Sequence, residues 1–141
     1  MRVDFYVLPA GDKNAPLPFT CRLTEKAYDL GQRIYIHAET EAQAAQLDNL
    51  LWTFRQGSFI PHALYETDND SELPAHIGWR GEPASRDLLI NLAPAVPLFY
   101  DRFERIAEIV SPDETAKLAA RARFKFYREH GITPESHTIE N

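Results

Sequence analysis

Residues 33–54, RIYIHAETEAQAAQLDNLLWTF, decide the fold because their hydrophobic period changes halfway along. The first six residues, 33–38, are rich in β-forming side chains and predict a strand. Thr40 and Gln43 then match a capping box, in which side chains bind the free backbone N–H groups at a helix start. One helical face carries the apolar residues Ala44, Leu47, Leu50, Leu51 and Phe54. The stretch therefore predicts a strand followed directly by an amphipathic helix.

The residues before this stretch repeat the same order of elements. Residues 3–8 (VDFYVL) form a short apolar run that predicts a buried strand. A helical face follows, with Phe19, Leu23, Ala27 and Leu30, and Gly31 is placed to end that helix. Strand, helix, strand, helix is typical of a βαβ unit, whose right-handed crossover places both strands in one parallel sheet.

The second half of the chain predicts more strands and one long helix. Residues 77–79 and 87–92 predict strands. Residues 103–110 fit either a strand or a helix, and the later part favours a strand because Ser111 and Pro112 follow it. Ser111 as N-cap, Pro112 at the first helical position and Glu114 two residues later predict a helix that runs to about Glu129. The predicted fold class is α/β. We expect one domain at residues 1–131, a three-layer α/β/α sandwich with a largely parallel sheet, and a frayed C-terminal tail at residues 132–141.

Charge is distributed unevenly along the chain. The net charge is −6, from 15 basic and 21 acidic residues, which does not favour wrapping nucleic acid. Residues 117–128 (KLAARARFKFYR) nevertheless hold five basic residues and no acidic one. A small basic segment therefore belongs to an otherwise acidic body.

Composition also indicates a compartment. No apolar stretch approaches the roughly 20 residues of a membrane-spanning helix, and the N-terminus does not resemble a signal peptide. The single cysteine, Cys21, has no partner for an internal disulfide. These features favour a reducing cytoplasm.

Motifs for catalysis and cofactor binding are missing. Neither GxGxxG nor GxxxxGK[ST] occurs, and three prolines in the loop after the first strand remove amide donors that a phosphate would need. The five histidines lack metal-ligand spacing, and no serine lies in a GxSxG motif. We predict no catalytic residue, no metal and no cofactor. A nucleotide-binding enzyme on the same fold is the alternative hypothesis.

The last predicted helix has a cationic face with an aromatic ring in its middle. About a third of the helical wheel holds Lys117, Arg121, Phe124, Lys125 and Arg128. The opposite side, expected to face the sheet, holds Leu118, Ala119, Ala122 and Phe126. One interpretation is a solvated helix face, and the other is a site for an acidic peptide with an aromatic end. Direct binding of single-stranded DNA is a further alternative.

Aromatic residues also exceed what the second helix can bury. Trp52 is turned about 100° beyond Leu51, away from the apolar face, and Phe59 lies in the following loop. These rings either cap the edge of the core or form a partner surface.

Motifs along most of the chain together resemble the chi subunit family of bacterial DNA polymerase III. They are FYVL at 5–8, GQRIYIHA at 31–38, LD at 47–48, LW at 51–52, SFIPH at 58–62, IGW at 77–79, SRDLLINL at 85–92, and Ala120, Arg121, Arg123, Phe124, Lys125 and Tyr127. The resemblance implies a Rossmann-like α/β/α domain without catalytic activity of its own, working as an accessory part of the polymerase holoenzyme.

The resemblance also implies two protein partners. The acidic tail of the single-stranded DNA-binding protein, which ends in Pro-Phe, is expected on Lys117, Arg121, Phe124, Lys125 and Arg128. The psi subunit of the clamp loader is expected on Trp52, Phe59 and Pro61, a surface that also suits a helicase. DNA is then contacted only indirectly. The family often has tyrosine where this chain has Phe124, so the ring is retained without its hydroxyl.

Overall fold

A computed structural model describes residues 1–10, 15–53, 59–64, 73–84 and 86–140. Within them lie seven strands: β1 (Arg2–Val7), β2 (Ile34–His37), β3 (His62–Leu64), β4 (Ala75–Gly78), β5 (Arg86–Asn91), β6 (Phe103–Val110) and β7 (Glu135–Thr138). The α-helices of the same residues are α1 (Pro16–Asp29), α2 (Glu41–Thr53) and α3 (Glu114–Glu129). A single 3₁₀ turn at Tyr100–Arg102 precedes β6.

All seven strands form one parallel sheet in the order β3-β4-β2-β5-β6-β1-β7. Side chains alternate between its two faces. On β2, Ile34 and Ile36 join one core with residues of α1 and α2, whereas Tyr35 joins a second core with residues of α3. The predicted α/β sandwich with a parallel sheet is confirmed.

The predicted signals at the start of α2 and the end of α1 are confirmed in position. The Gln43 N–H donates to Thr40 Oγ1 at 3.1 Å, and Gln43 Oε1 accepts from the Glu39 N–H at 2.7 Å. The return bond of the capping box thus reaches one residue earlier than in the standard pattern. Gly31 follows α1 with φ 77°, a left-handed conformation that glycine adopts without strain. The predicted core residue Phe54 lies outside the described residues.

The predicted start of α3 is wrong by two residues. Asp113, not Ser111, is the N-cap, and its carboxylate accepts from the Ala116 N–H at 2.8 Å. Its backbone is extended, with φ −75° and ψ 159°, so the helix begins at Glu114 rather than at Pro112. A carboxylate at this position satisfies a free N–H group and complements the positive end of the helix dipole.

The predicted frayed tail at residues 132–141 is also corrected. Glu135–Thr138 pairs in parallel with β1 as strand β7, and the Ile139 N–H donates to the Val7 carbonyl at 2.9 Å. His137 stacks on Tyr6 with ring centroids 5.2 Å apart. These contacts hold a polar segment that has no apolar alternation of its own. None of the helices in the described part of the chain combines the length and apolar character needed to cross a membrane.

Candidate functional site: a basic groove and an aromatic pair at opposite ends of the sheet

The rotation of α3 about its axis differs from the prediction. Its buried residues are Ala120, Arg123 and Tyr127. Leu118, which was expected to face the sheet, is 65% exposed, and Ala122 is exposed as well. The expected inward residues Ala119 and Phe126 are only partly buried.

A buried acid on β6 explains this rotation. Glu108 Oε1 accepts from Arg123 Nε at 2.8 Å, and Glu108 Oε2 accepts from the Tyr127 hydroxyl at 2.6 Å. Asn91 Nδ2 donates to the same carboxylate at 2.9 Å. Burial raises the pKa of Glu108, and the Arg123 charge opposes that rise. Because a buried carboxylate needs these partners, Arg123 and Tyr127 turn inward and leave Leu118 outside.

The inward turn of Arg123 leaves the predicted cationic face intact at the surface. Arg121, Lys125 and Arg128 are exposed, while Lys117 and Phe124 are half-buried beside them. Lys125 Nζ lies 3.8 Å from Glu129 Oε1, a weak contact between two exposed side chains. The structure therefore brings together the five residues that the sequence singled out on this helix.

Phe124 separates two depressions on this face. On one side lies a cavity of about 240 Å³ between α3 and the sheet edge. Its lining is Phe5, Val7, Val110, Lys117, Ala120, Arg121, Phe124 and Ser136. A second depression of about 530 Å³ is lined by Arg121, Phe124, Lys125, Arg128 and Glu129. We call the two depressions together the basic groove.

The cavity of the basic groove has an apolar floor and a charged rim. The Phe5 and Phe124 rings lie 5.4 Å apart at an interplanar angle of 48°. Lys117 and Arg121 line the same cavity and supply its positive charge. Such a cavity suits an apolar side chain attached to a carboxylate.

Trp52 and Phe59 form the second candidate surface, at the opposite end of the sheet. Their side chains are 48% and 60% exposed, and their rings lie 5.2 Å apart. Pro61, the third residue predicted there, is half-buried two residues after Phe59. We call Trp52 and Phe59 the aromatic pair.

His62 supports the aromatic pair from below. The Trp52 and His62 rings lie 4.3 Å apart. The His62 ring nitrogens lie 2.6 Å from the Ile60 carbonyl oxygen and 3.0 Å from the Asp48 carbonyl oxygen. A buried, hydrogen-bonded imidazole therefore fixes the orientation of Trp52.

Three contributors to these sites escaped sequence reasoning. His62 and Arg123 occur in the family motifs, but no sequence pattern placed His62 beneath Trp52 or Arg123 against the sheet. Ser136 lies in the segment predicted as a frayed tail. The alternation of strand β6 contained one usable signal, because Glu108 interrupts an otherwise apolar stretch at 106–110. A buried acid predicts a buried cation from the next element.

A cluster at the start of β1 has the composition of a metal site, yet its electrostatics disfavour a cation. Asp4, Glu135 and His137 bring ligand atoms together. However, Arg2 Nε and Arg105 Nε lie 3.0 Å and 3.3 Å from the Asp4 carboxylate, and His137 Nε2 lies 2.9 Å from it. Burial raises the pKa of Asp4, but His137 and the arginine charges outweigh burial and hold it below its usual range. The cluster joins β7 to β1.

Comparison with known proteins places the chain in a family. Residues 1–135 match the family model described as DNA polymerase III chi subunit, HolC. The chain belongs to the DNA polymerase III chi subunit family. As a chi-family member it is an accessory subunit of DNA replication.

Relatives in three bacteria carry the name DNA polymerase III subunit chi. The Pseudomonas aeruginosa protein is 46% identical over 140 residues, covering 98% of this chain and 96% of the relative. The Haemophilus influenzae protein is 33% identical, covering 90% of each. The Escherichia coli protein is 32% identical, covering 79% of this chain and 78% of the relative.

One solved structure shows the fold in another context. It is a chain from a Saccharomyces cerevisiae structure described as dbp5 bound to nup159, gle1, IP6 and ADP. The TM-score is 0.68 at 12% identity, covering 98% of this chain and 42% of that chain. At that identity the likeness concerns the fold alone.

Proposed function

We propose that this chi-family protein is a non-catalytic adaptor that binds two proteins at opposite ends of its sheet. The basic groove binds the acidic C-terminal tail of the single-stranded DNA-binding protein, and the aromatic pair with Pro61 binds the psi subunit of the clamp loader. The observation that carries the first part is an apolar cavity rimmed by Lys117 and Arg121.

The chemistry of such a tail matches the basic groove. A terminal phenylalanine fits the cavity against Phe5 and Phe124, and its free carboxylate lies within reach of Lys117 and Arg121. The aspartates before it then face Lys125 and Arg128. Because exposed ion pairs contribute only about 0–1 kcal/mol each, several cations must act together.

Isothermal titration calorimetry with an acidic peptide ending in Pro-Phe tests this site. We expect Arg121→Ala to weaken binding about tenfold without lowering the melting temperature, because the side chain is exposed. Lys26→Ala on α1 is the matched control, an exposed cation far from the groove. Unchanged affinity in Arg121→Ala would contradict the site assignment.

The aromatic pair is proposed to bind psi because exposed neighbouring rings are typical of interface hot spots. Trp52→Ala and Phe59→Ala are expected to abolish co-purification with psi while sparing the tail peptide. Mass spectrometry of proteins captured from native lysate by wild type and Phe59→Ala identifies the partner. If Phe59→Ala fails to capture a helicase rather than psi, the proposed partner changes, but the aromatic pair remains the proposed binding surface.

A further inference from the structure

We infer that the acidic tail binds in an extended conformation as an added strand on the open edge of β7, with its terminal side chain in the cavity. This inference rests on the proposed function and deepens it. It assigns the main chain of β7 as a docking surface, in addition to the side chains of α3.

β7 is the last strand of the sheet, and among the described residues it pairs with β1 alone. The Ile139 N–H points toward β1, because it donates to the Val7 carbonyl. Backbone groups of alternate residues in a parallel strand point to opposite sides. The backbone N–H and C=O groups of His137 therefore also point toward β1. Those of Ser136 and Thr138 point away from the sheet.

This open edge is continuous with the cavity. The register pairs Phe5 with Ser136 and Val7 with Thr138, so these four side chains share the face covered by α3. Ser136 lines the cavity together with Phe5 and Val7. Ser136 and Thr138 are small and exposed, so the strip of β7 beside the cavity is not filled by their side chains.

Ser136 and Thr138 carry none of the side chains that commonly protect an edge strand. Natural edge strands are commonly shielded by proline, by lysine or by inward-pointing charges. β7 reads ESHT and contains neither proline nor lysine, and the side chain of Glu135 lies on the opposite face, 4.0 Å from His137. Within the described part of the chain no strand pairs with the outward side of β7, so an extended peptide meets two backbone donors and two backbone acceptors at Ser136 and Thr138.

A peptide strand in this position also places acidic side chains near the cations of α3. A strand beside β7 lies about 4.8 Å further out, which keeps alternate side chains on the face of Lys117 and Arg121. Main-chain hydrogen bonds then fix the register, and the cavity selects the terminal side chain, as in other peptide sites that add a strand to a sheet. The cations of α3 supply attraction without needing a fixed geometry.

Amide hydrogen exchange measured by NMR tests this directly. In the free protein we expect fast exchange at Ser136 and Thr138 and slower exchange at His137 and Ile139, which face β1. Saturation with an acidic peptide ending in Pro-Phe should slow exchange at Ser136 and Thr138. Unchanged exchange at these two amides in the saturated complex would overturn the inference.

A proline variant provides a second test. Thr138→Pro removes an outward N–H while leaving the bonds of His137 and Ile139 to β1, and we expect about tenfold weaker peptide binding. Thr138→Ala is the control and should bind like wild type. If Thr138→Pro binds the peptide with wild-type affinity while Arg121→Ala binds it more weakly, strand addition is overturned and the proposed site stands. If both variants bind with wild-type affinity, the proposed site is overturned as well.

If Thr138→Pro displaces β7, as seen by fast exchange at His137 and Ile139, its affinity no longer isolates the outward N–H. The exchange rates of Ser136 and Thr138 in the wild-type complex then decide the question.

Discussion

The two ends of the sheet differ in chemistry although they belong to one small fold. The α3–β7 end carries cations around an apolar cavity, whereas the α2–β3 end presents Trp52 and Phe59 on the surface. Six strand spacings separate β3 from β7, or about 29 Å. Because the ends are distant and chemically unlike, the proposed function assigns each of them to a different partner.

The largest expected effect concerns the buried ion pair of Arg123 and Glu108 beneath α3. Arg123→Ala leaves Glu108 buried without its guanidinium, and breaking a buried pair in this way costs about 3–5 kcal/mol. Urea denaturation measures this loss in the free energy of unfolding. Arg121→Ala, two residues earlier but exposed, should change stability by less than about 0.5 kcal/mol.

Equal losses of stability in the two variants would contradict the division of this helix into a structural arginine and a surface arginine. Such a result would also remove the basis for assigning Arg121 to binding.

The next largest effect concerns His62, which packs beneath Trp52 at the α2–β3 end. His62→Ala removes the ring beneath Trp52 and its polar contacts with the Ile60 and Asp48 carbonyl oxygens, which costs about 1–3 kcal/mol. We expect psi binding to weaken while affinity for the acidic peptide is unchanged, as measured by calorimetry with each partner. Weaker binding of both partners would show that the two ends are coupled.

Acid should affect the two ends in different pH windows. In β4, next to β3, the Nδ1 atom of His76 accepts from Arg86 Nη2 at 2.8 Å. Burial, with help from Arg86 and Arg33, lowers the pKa of His76 to about 4. The unfolded chain takes up this proton near pH 6.5, so stability is full above that pH and falls by up to about 1.4 kcal/mol per pH unit toward pH 4.

The β7 end responds at lower pH. The pKa of Asp4 is held below its usual range, so its contribution is complete above about pH 3.9 and is lost as pH falls further, toward the folded-state pKa. Urea denaturation over a pH series should show both windows. His76→Asn, which keeps an acceptor but does not titrate, should reduce the slope between pH 6.5 and 4 and leave the lower window unchanged.

The smallest expected effect is a difference between the two ends in how strongly salt weakens binding. Raising the salt concentration from 0.05 M to 0.5 M should weaken binding of the acidic peptide several-fold, because its contacts are exposed ion pairs. Binding of psi to the aromatic pair should change little. Equal salt dependence at both ends would contradict their assignment to unlike partners.

Sequence patterns predicted the fold well where apolar period was the dominant signal. It predicted β1, β2, part of β4, β5, the later part of β6 and α2, whereas β3 went unpredicted. The basic face of α3 followed from charge spacing. The inward side of α3 was predicted wrongly because Leu118 and Ala122 outranked Arg123 in hydrophobicity, while the buried Glu108 decided the rotation. β7 was missed because its polar residues are held by tertiary partners, chiefly Asp4.

The position of β1 has a consequence for synthesis of the chain. Both strands that flank it in the sheet, β6 and β7, lie near the other end of the sequence, with Asp4 bonded to His137 across 133 positions. During synthesis β1 leaves the ribosome before β6 and β7. It cannot pair with both strands until about residue 138 has left the exit tunnel. The cavity, which needs Phe5, Phe124 and Ser136, therefore comes into existence only after that point. A chain that ends before Ser136 is therefore expected to lack the complete cavity.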